Sequence, residues 1–374
     1  IMSLSIYRKY RPKVFDDLLG QPTIVQILKN AGRLNKIGHA YLLSGPRGTG
    51  KTTVARLIAK TANCETRRQN QKFQALGEPC NECRVCLEIN EGRALDIIEI
   101  DAASNRGIDE IRNLKDAVRV APTSYLYKVF IIDEAHMLTK EAFNALLKTL
   151  EEPPSHVILI LATTEIDKIP STIASRSQRF NFKKAAVPQI IEKLKKICEI
   201  EGLKIEEDAI ELTATAAEGS FRDAESLLDQ VVNFNAPASG EKISLQDIEQ
   251  MIGKTGGAKI SAFAEKLLKN DIEGALKALN EIQEGGYNLS QFCKDLIHHL
   301  RRTLVLKLDP SMENAFQNEL AKTELENLKK QTADFQPEKH IQLLKNLINA
   351  YGQMRYSPFP IIPLEVAIAE SLKI

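Results

Sequence analysis

Apolar and polar positions divide this chain into two kinds of territory. In the first half, short apolar stretches recur at Ala40–Leu43, Ile97–Ile100, Val129–Ile132 and Val157–Leu161. Each is bounded by serine, threonine or carboxylates and is too short for a helix, which predicts buried strands. Arg179-Phe180-Asn181-Phe182 alternates and reads as a further strand. Between these runs the period changes. Ile24, Ile27, Leu28 and Ala31 share one face of a helix over 22–34, and Val54, Leu57, Ile58 and Thr61 begin another. Asn144–Glu152 is helical and stops at Pro153-Pro154, which forbid continuation; Pro170 stands at the start of a shorter helix. This alternation predicts an α/β fold. From 188 onward strands become scarce. Three helical patterns run from 188 to 236, broken at Gly202 and Gly219. Asn235–Gly240 is small, polar and proline-containing, a linker signal. Residues 244–374 read as helix throughout; Leu289, Phe292, Leu296, Leu300 and Leu304 mark one apolar face, and Leu364–Leu372 forms a closing amphipathic helix.

The turn after the first strand carries the firmest chemistry. Ala40–Ser44 enters Gly45-Pro46-Arg47-Gly48-Thr49-Gly50-Lys51-Thr52, and Thr53, Val54 and Ala55 open a helix. The pattern G-x-x-x-x-G-K-[ST] stands in the strand–turn–helix context that a phosphate-binding loop requires. Its glycines let successive N–H groups approach a polyphosphate, and the helix N-terminus adds positive charge. Lys51 can neutralise the β/γ-phosphates, and Thr52 can supply a hydroxyl to Mg²⁺.

About 80 residues further on, an apolar strand ends in Asp133-Glu134-Ala135-His136. In a phosphate-loop enzyme this strand is expected beside the loop's own strand, with Asp133 reaching Mg²⁺ and Glu134 polarising the attacking water. Thr163 and Thr164 close another strand, where their hydroxyls could meet the γ-phosphate or the water. Ile97–Asp101 is expected to be buried. The following Ser104–Glu110 reads as a turn in which Ser104 or Asn105 caps a helix, beyond a strand end, where α/β sheets bind ligands. Ser220 can cap a helix that puts Arg222 in its first turn; a cation is unfavourable there unless it faces an anion.

Four of the six cysteines, Cys64, Cys80, Cys83 and Cys86, follow C-x15-C-x2-C-x2-C. That spacing fits a closed tetrahedral zinc site, structural because four sulfurs leave no open position. The metal would pin a polar surface module too poor in apolar residues to fold alone. Cys198, Cys293 and His298-His299 have no partners in sequence and read as ordinary packing or surface residues. Cysteine use of this kind suits a reducing cytoplasm.

The chain has 374 residues, so two or three domains are expected, and its 43% hydrophobic content suffices for a core. Net charge is +1, so no global field draws it to nucleic acid and any DNA contact must be a local patch. No run of 18 apolar residues predicts a membrane span. No signal peptide is visible, and Ile1 before Met2 looks like a tag remnant. Tyr7-Arg8-Lys9-Tyr10-Arg11-Pro12-Lys13 interleaves basic and aromatic residues. It reads as a strap across a nucleotide base, a solvated tail or a nucleic-acid arm; Pro12, Phe15 and Leu18 suggest order.

These motifs stand in the order of an AAA+ ATPase: Gly45–Thr52, Asp133–His136, Ala162–Thr164, Ser175-Arg176-Ser177 and Gly219–Ala224. The four-cysteine insert, Asp101–Ser104 and Asn144–Pro154 narrow the likeness, and together they closely resemble the gamma/tau family of bacterial DNA polymerase III clamp-loader subunits. The resemblance covers nearly the whole chain; its motifs are dense to about 230 and only helical in character beyond. It implies a RecA-like AAA+ domain (1–182, parallel sheet with helices on both sides, zinc module about 64–90), a helical lid (183–242) and an all-α collar (243–374) that assembles a five-membered spiral.

The resemblance further implies ATP, Mg²⁺ and Zn²⁺ as cofactors. It makes Arg176 an arginine finger acting on a neighbour's ATP, although Ser177 stands where the family's motif has cysteine. Thr163 or Thr164 becomes a first sensor and Arg222 a second; Arg11 belongs to the adenine strap; Asn105 and Arg106 lie where clamp loaders touch the DNA backbone. Expected partners are delta and delta-prime subunits, other copies of the chain, the sliding clamp and primer–template DNA, in the cytoplasm and with no membrane. A tau-type C-terminal extension is absent from this sequence, which reads as the short form or a shortened tau. Two competing readings are a DEAH-type helicase, which would need a second RecA-like lobe that residues after 188 lack the strands to build, and a scaffold whose ATP site only locks conformation.

Overall fold

The computed structural model describes residues 5–104, 116–234, 242–252, 256–317, 319–354 and 356–372. Asn105, Arg106 and the linker candidate Asn235–Gly240 therefore lie outside the described residues. The chain forms two compact units, Ile1–Ala185 with Ser220–Asp223, and Ala186–Gly219 with Ala224–Ile374.

The first unit is built on five parallel strands: β1 (Ala40–Ser44), β2 (Ile97–Asp101), β3 (Lys128–Asp133), β4 (Val157–Thr163) and β5 (Gln178–Asn181), in the order β2-β3-β4-β1-β5. Alternate side chains point to opposite faces of a sheet. Tyr41, Leu43, Val129, Ile131, Ile158 and Ile160 join Val54, Leu57 and Ile58 of the helix Lys51–Asn63, and Ile24 and Leu28 of Pro22–Arg33. On the other face, Leu42, Phe130, Ile132, Leu159 and Leu161 join Phe143, Leu146 and Leu150 of the helix Lys140–Glu151. Each such side chain, fully buried, contributes about 1.5–3 kcal/mol. Strands covered on both sides are therefore apolar at nearly every position, which is why they read as runs rather than alternations.

The structure corrects three expectations. β3 does not lie beside β1: β4 intervenes, pairing with β1 from Ala40 to Leu159 through Ser44 to Thr163. β2 is an edge strand, paired with β3 alone, and its residues are half-buried or exposed rather than buried. An edge strand lacks a neighbour to cover its second side, so Ile97, Ile98 and Ile100 stay partly accessible. The helix expected from Asn144 starts earlier, because Thr139 Oγ1 accepts the Ala142 amide at 3.2 Å and caps it. The polar stretch after Cys64 holds two short helices, Glu65–Gln69 and Gln71–Gln74.

In the second unit, Val187–Glu201 ends at Gly202, whose φ of +67° supplies the left-handed turn. Glu207–Ala216 and Leu245–Ile252 follow, with Ala209, Leu212, Val231 and Ile248 in one small core. Most helices from Gly257 to Leu372 share a larger core, in which Phe263 meets Phe292 edge-on at 5.1 Å around Leu296, Leu300 and Leu347, while Leu306, Phe316, Leu325 and Leu328 form a smaller one. Cys198 and Cys293 are buried in packing positions. His299 is buried too, its ring nitrogen 2.7 Å from Gln331 Oε1. Among the described residues, no helix is long and apolar enough to cross a membrane.

Candidate nucleotide site and cysteine cluster

Parallel strands end on one edge, and there Ser44, Asp133 and Thr163 bring their loops together. The loop after β1 has Gly45 at φ +141°, Gly48 at +72° and Gly50 at +100°. A β-carbon at Gly45 would lie 2.4 Å from the Phe182 carbonyl oxygen, and one at Gly48 1.8 Å from Ser220 Oγ. Both positions therefore exclude a side chain on contact as well as on backbone grounds. Arg47 is exposed, while Thr49 is buried and donates to Pro46 O at 2.8 Å.

Lys51 begins the helix Lys51–Asn63 with its ammonium turned back into the loop, donating to Gly45 O at 2.8 Å and Pro46 O at 2.7 Å. Burial lowers its pKa, against the opposing pull of the Glu134 and Asp133 carboxylates. Thr52 Oγ1 donates to Asp133 Oδ2 at 2.8 Å, so the hydroxyl and carboxylate expected to share Mg²⁺ are already adjacent. Thr53 lies next along the helix, half-buried. Although β4 separates the two strands, the helix from the loop reaches over the sheet edge and closes that gap.

Glu134 stands at φ +48°, a left-handed conformation that costs a non-glycine residue on the order of 1–3 kcal/mol. Thr164 Oγ1 donates to Glu134 Oε2 at 3.0 Å. Thr163 behaves differently: it is fully buried, with Oγ1 accepting the Glu165 amide at 3.0 Å and lying 3.1 Å from His136 Nδ1. His136 also approaches Glu134 and Glu165, at 3.5 and 3.3 Å.

Ser220 Oγ accepts the Asp223 amide at 3.2 Å, which leaves Arg222 exposed in the first helical turn. Its guanidinium lies 5.2 Å from the Tyr7 ring centre. Arg11 is half-buried nearby; burial holds it below its ordinary value, with Arg56 and Arg222 adding repulsion and Glu99 and Tyr7 opposing. A β-carbon at Gly48 would also lie 3.5 Å from Arg222 Cβ, so Arg222 stands over the loop, with Tyr7 against it and Arg11 within electrostatic reach of both. Arg176 does not join them. It is exposed, its Nη2 pairing with Glu151 Oε1 at 2.8 Å and its Nη1 donating to Thr172 O at 3.0 Å.

The sulfurs of Cys64, Cys80, Cys83 and Cys86 all lie within 4.8 Å of one another. Zinc–sulfur bonds of about 2.3 Å set tetrahedral sulfur separations of about 3.8 Å; Cys80 and Cys86 are 3.9 Å apart. The Glu82 and Cys83 amides donate to Cys80 Sγ at 3.4 and 3.2 Å, and the Cys80 amide to Cys64 Sγ at 3.5 Å. Hydrogen bonds from Cys86 and from neighbouring amides lower the Cys64 pKa to about 5. Donors aimed at gathered sulfurs are what a thiolate site for a structural metal needs, so the residues fit zinc. Cys86→Ser is expected to drop bound zinc well below one per chain by elemental analysis and to lower the thermal midpoint; unchanged metal and midpoint would exclude the site.

Sequence reasoning passed over Lys60, Glu78 and Asn81, which tie this cluster to the rest of the unit. A lysine among Leu57, Ile58, Ala59 and Thr61 was the available signal, since a cation on an apolar helix face needs partners.

Three matched families tile the chain. Residues 20–186 match "DNA polymerase III, delta subunit", residues 189–236 the ATPase lid domain of a DNA polymerase III clamp loader subunit, and residues 243–370 domain III of DNA polymerase III subunits gamma and tau. DNA polymerase III subunit tau of Bacillus subtilis is 42% identical over 367 residues, 98% of this chain and 62% of that one. The tau subunit of Escherichia coli is 38% identical over 98% of this chain and 54% of its own length. The chain thus spans little more than half of these tau relatives. The gamma subunit of Buchnera aphidicola (Schizaphis graminum) is 36% identical over 98% of this chain and 97% of its own. Among solved structures, the DNA clamp loader delta protein of Bacillus subtilis aligns over 93% of this chain and 99% of its own at 12% identity and TM-score 0.44; nothing further rests on that likeness. With a gamma subunit matched almost end to end, and lid and gamma/tau domain families matched in order, the chain belongs to the gamma/tau family of DNA polymerase III clamp-loader subunits.

Proposed function

We propose that this chain is an ATPase subunit that drives the opening of a sliding clamp and its loading onto primer–template DNA. The observation that carries the proposal is the Thr52–Asp133 pair at 2.8 Å beside Lys51 in a loop with three left-handed glycines. Lys51 and the loop amides bind the β/γ-phosphates; Thr52 and Asp133 hold Mg²⁺, which when bound neutralises charge on the phosphates. Glu134 polarises the attacking water. Thr164, bonded to that carboxylate, is the better first sensor, because the Thr163 hydroxyl is committed to His136 and the Glu165 amide. Arg222 is the second sensor, Arg11 part of the nucleotide strap, and Arg176 acts on the ATP of a neighbouring subunit. The division at 182 and 242 into ATPase, lid and collar is part of the same reading, as is zinc in the cysteine cluster.

Delta and delta-prime subunits, further copies of this chain, the clamp and DNA are the proposed partners, in the cytoplasm; Asn105 and Arg106 are the proposed DNA contacts. The chain would be classed with DNA-directed DNA polymerases, as a nucleotidyltransferase, only through the assembly it joins, having no polymerase site of its own. Phosphate release tests the proposal: slow for the chain alone, and accelerated when delta subunits, clamp and primed DNA are added together. A rate indifferent to those partners would favour the scaffold reading, and ATP-driven strand separation of a duplex would favour the helicase.

A further inference from the structure

Three polar side chains converge on a short piece of backbone between the N-terminal strap and the phosphate loop. Lys60 is buried, and its ammonium donates to Lys13 O at 2.8 Å, Asn81 Oδ1 at 2.7 Å and Asn90 Oδ1 at 2.9 Å. Asn81 Nδ2 donates to the same Lys13 carbonyl at 3.0 Å. Glu78 accepts the Phe15 amide at 2.7 Å and the Asp16 amide at 3.1 Å, and pairs with Lys29 at 3.2 Å.

Asn81 and Glu78 both belong to the cysteine module. Asn81 sits between Cys80 and Cys83 at φ +60°, inside the loop that gathers the sulfurs, and Glu78 lies two residues before Cys80. One side of this knuckle therefore grips sulfur and the other grips residues 13–16. Upstream of the clamped stretch is the half-buried Arg11, within electrostatic reach of Arg222 and Tyr7. Downstream is Leu18, whose Cδ2 lies 3.5 Å from where a side chain on Gly50 would begin. Fixing Lys13–Asp16 thus fixes the chain on both sides of it, Leu18 against the phosphate loop and Arg11 near Arg222.

We propose that the cysteine module is a positioning device for nucleotide binding: with Lys60, its Glu78 and Asn81 hold Lys13–Asp16 so that Leu18 is set against the phosphate loop and Arg11 beside Arg222. The inference rests on the nucleotide reading above. The hydrogen bonds and ion pair of the three side chains go to residues 13–16, to one another, and to Asn90 and Lys29, so each acts through the backbone it holds.

The full chain carrying Asn81→Ala or Glu78→Gln tests it by three measurements: zinc content, amide hydrogen exchange and MgATP affinity by calorimetry. The expected result is unchanged zinc, faster exchange confined to residues 13–17 with the helix Lys51–Asn63 still protected, and MgATP affinity lower by about tenfold, the scale seen when groups supporting a site are removed. Stripping zinc from the wild-type chain reproduces the exchange change, and refilling reverses it. Should a variant also shed zinc, the strip-and-refill cycle decides. Protection of 13–17 and affinity that do not follow the metal overturn the proposal. Lys51→Ala separates the two readings, since it weakens MgATP binding directly while leaving exchange at 13–17 as in wild type. A wild-type chain that binds no MgATP overturns the nucleotide reading and this proposal with it.

Discussion

Arg176→Ala is expected to leave MgATP binding at wild-type strength and to lower DNA-stimulated turnover of the proposed assembly by about 10³–10⁵-fold, the range that an arginine supplied in trans contributes to phosphoryl transfer. Within its own chain Arg176 touches nothing of the nucleotide site. It is held on the surface by Glu151, Thr172 O and Ser175 Oγ, and both ion-pair partners are substantially exposed. An exposed ion pair of that kind is worth about 0–1 kcal/mol, so Arg176 leaves it at little cost when a stronger anion is offered. A γ-phosphate from the next subunit is such an anion, and a guanidinium meets it with paired donors. The measurement is phosphate release from the complete assembly, with calorimetry on the single chain to check binding. Turnover unaffected in the assembly would remove the role in trans; lost MgATP binding by the single chain would assign Arg176 to its own site instead.

Lys51→Ala has a different signature, because it acts in the chain that carries it. The ammonium is buried, and the phosphate-loop carbonyls of Gly45 and Pro46 are its ligands. Alanine removes the only charge that the loop itself directs inward and leaves those carbonyls without their donor. A hydrogen bond to a charged group is worth about 1.5–3 kcal/mol, so MgATP affinity falls by about 10–100-fold. Turnover falls further, since transition-state charge on the γ-phosphate is larger than in the ground state. Circular dichroism and the thermal midpoint stay close to wild type, because the sheet and its two apolar faces are untouched. ATPase activity at the wild-type level would refute the site.

The two predictions differ in how legible their residues are. Lys51 and Thr52 could be read directly because a phosphate loop is a local object: its glycines, lysine and hydroxyl stand in consecutive positions, and the flanking strand and helix periods confirm its setting. The four cysteines were legible for the same reason. Three of them lie within one knuckle, and Cys64 closes the helix that the loop begins. Arg176 could be singled out only by resemblance, since one arginine in a serine-flanked turn carries no chemistry by spacing. Strand order was beyond reach. An apolar run ending in two carboxylates predicts a buried strand and its exit, but pairing is decided by what packs on the sheet, and β4 takes the position beside β1. Likewise Ile97–Asp101 reads as an apolar run, yet it ends at the edge, where its Glu99 meets Arg56. Thr163 and Thr164 are indistinguishable neighbours in sequence, and the pleat sends their hydroxyls to different partners, His136 and Glu134.

The sequence by itself determined the elements and the local chemistry: the phosphate loop, the strand that presents Asp133 and Glu134, the sulfur cluster, and the change at about 188 from mixed α/β to helix. Those features depend on backbone conformations and periodicities set by residues a few positions apart. Only the tertiary structure decided which distant groups share a site. It set Asp133 against Thr52 across an intervening strand, gave Thr164 rather than Thr163 to Glu134, and seated Lys60, Glu78 and Asn81 around Lys13–Asp16. Such meetings follow from how buried polar groups, forbidden to stay unpaired, find partners once the sheet and helices have closed over them.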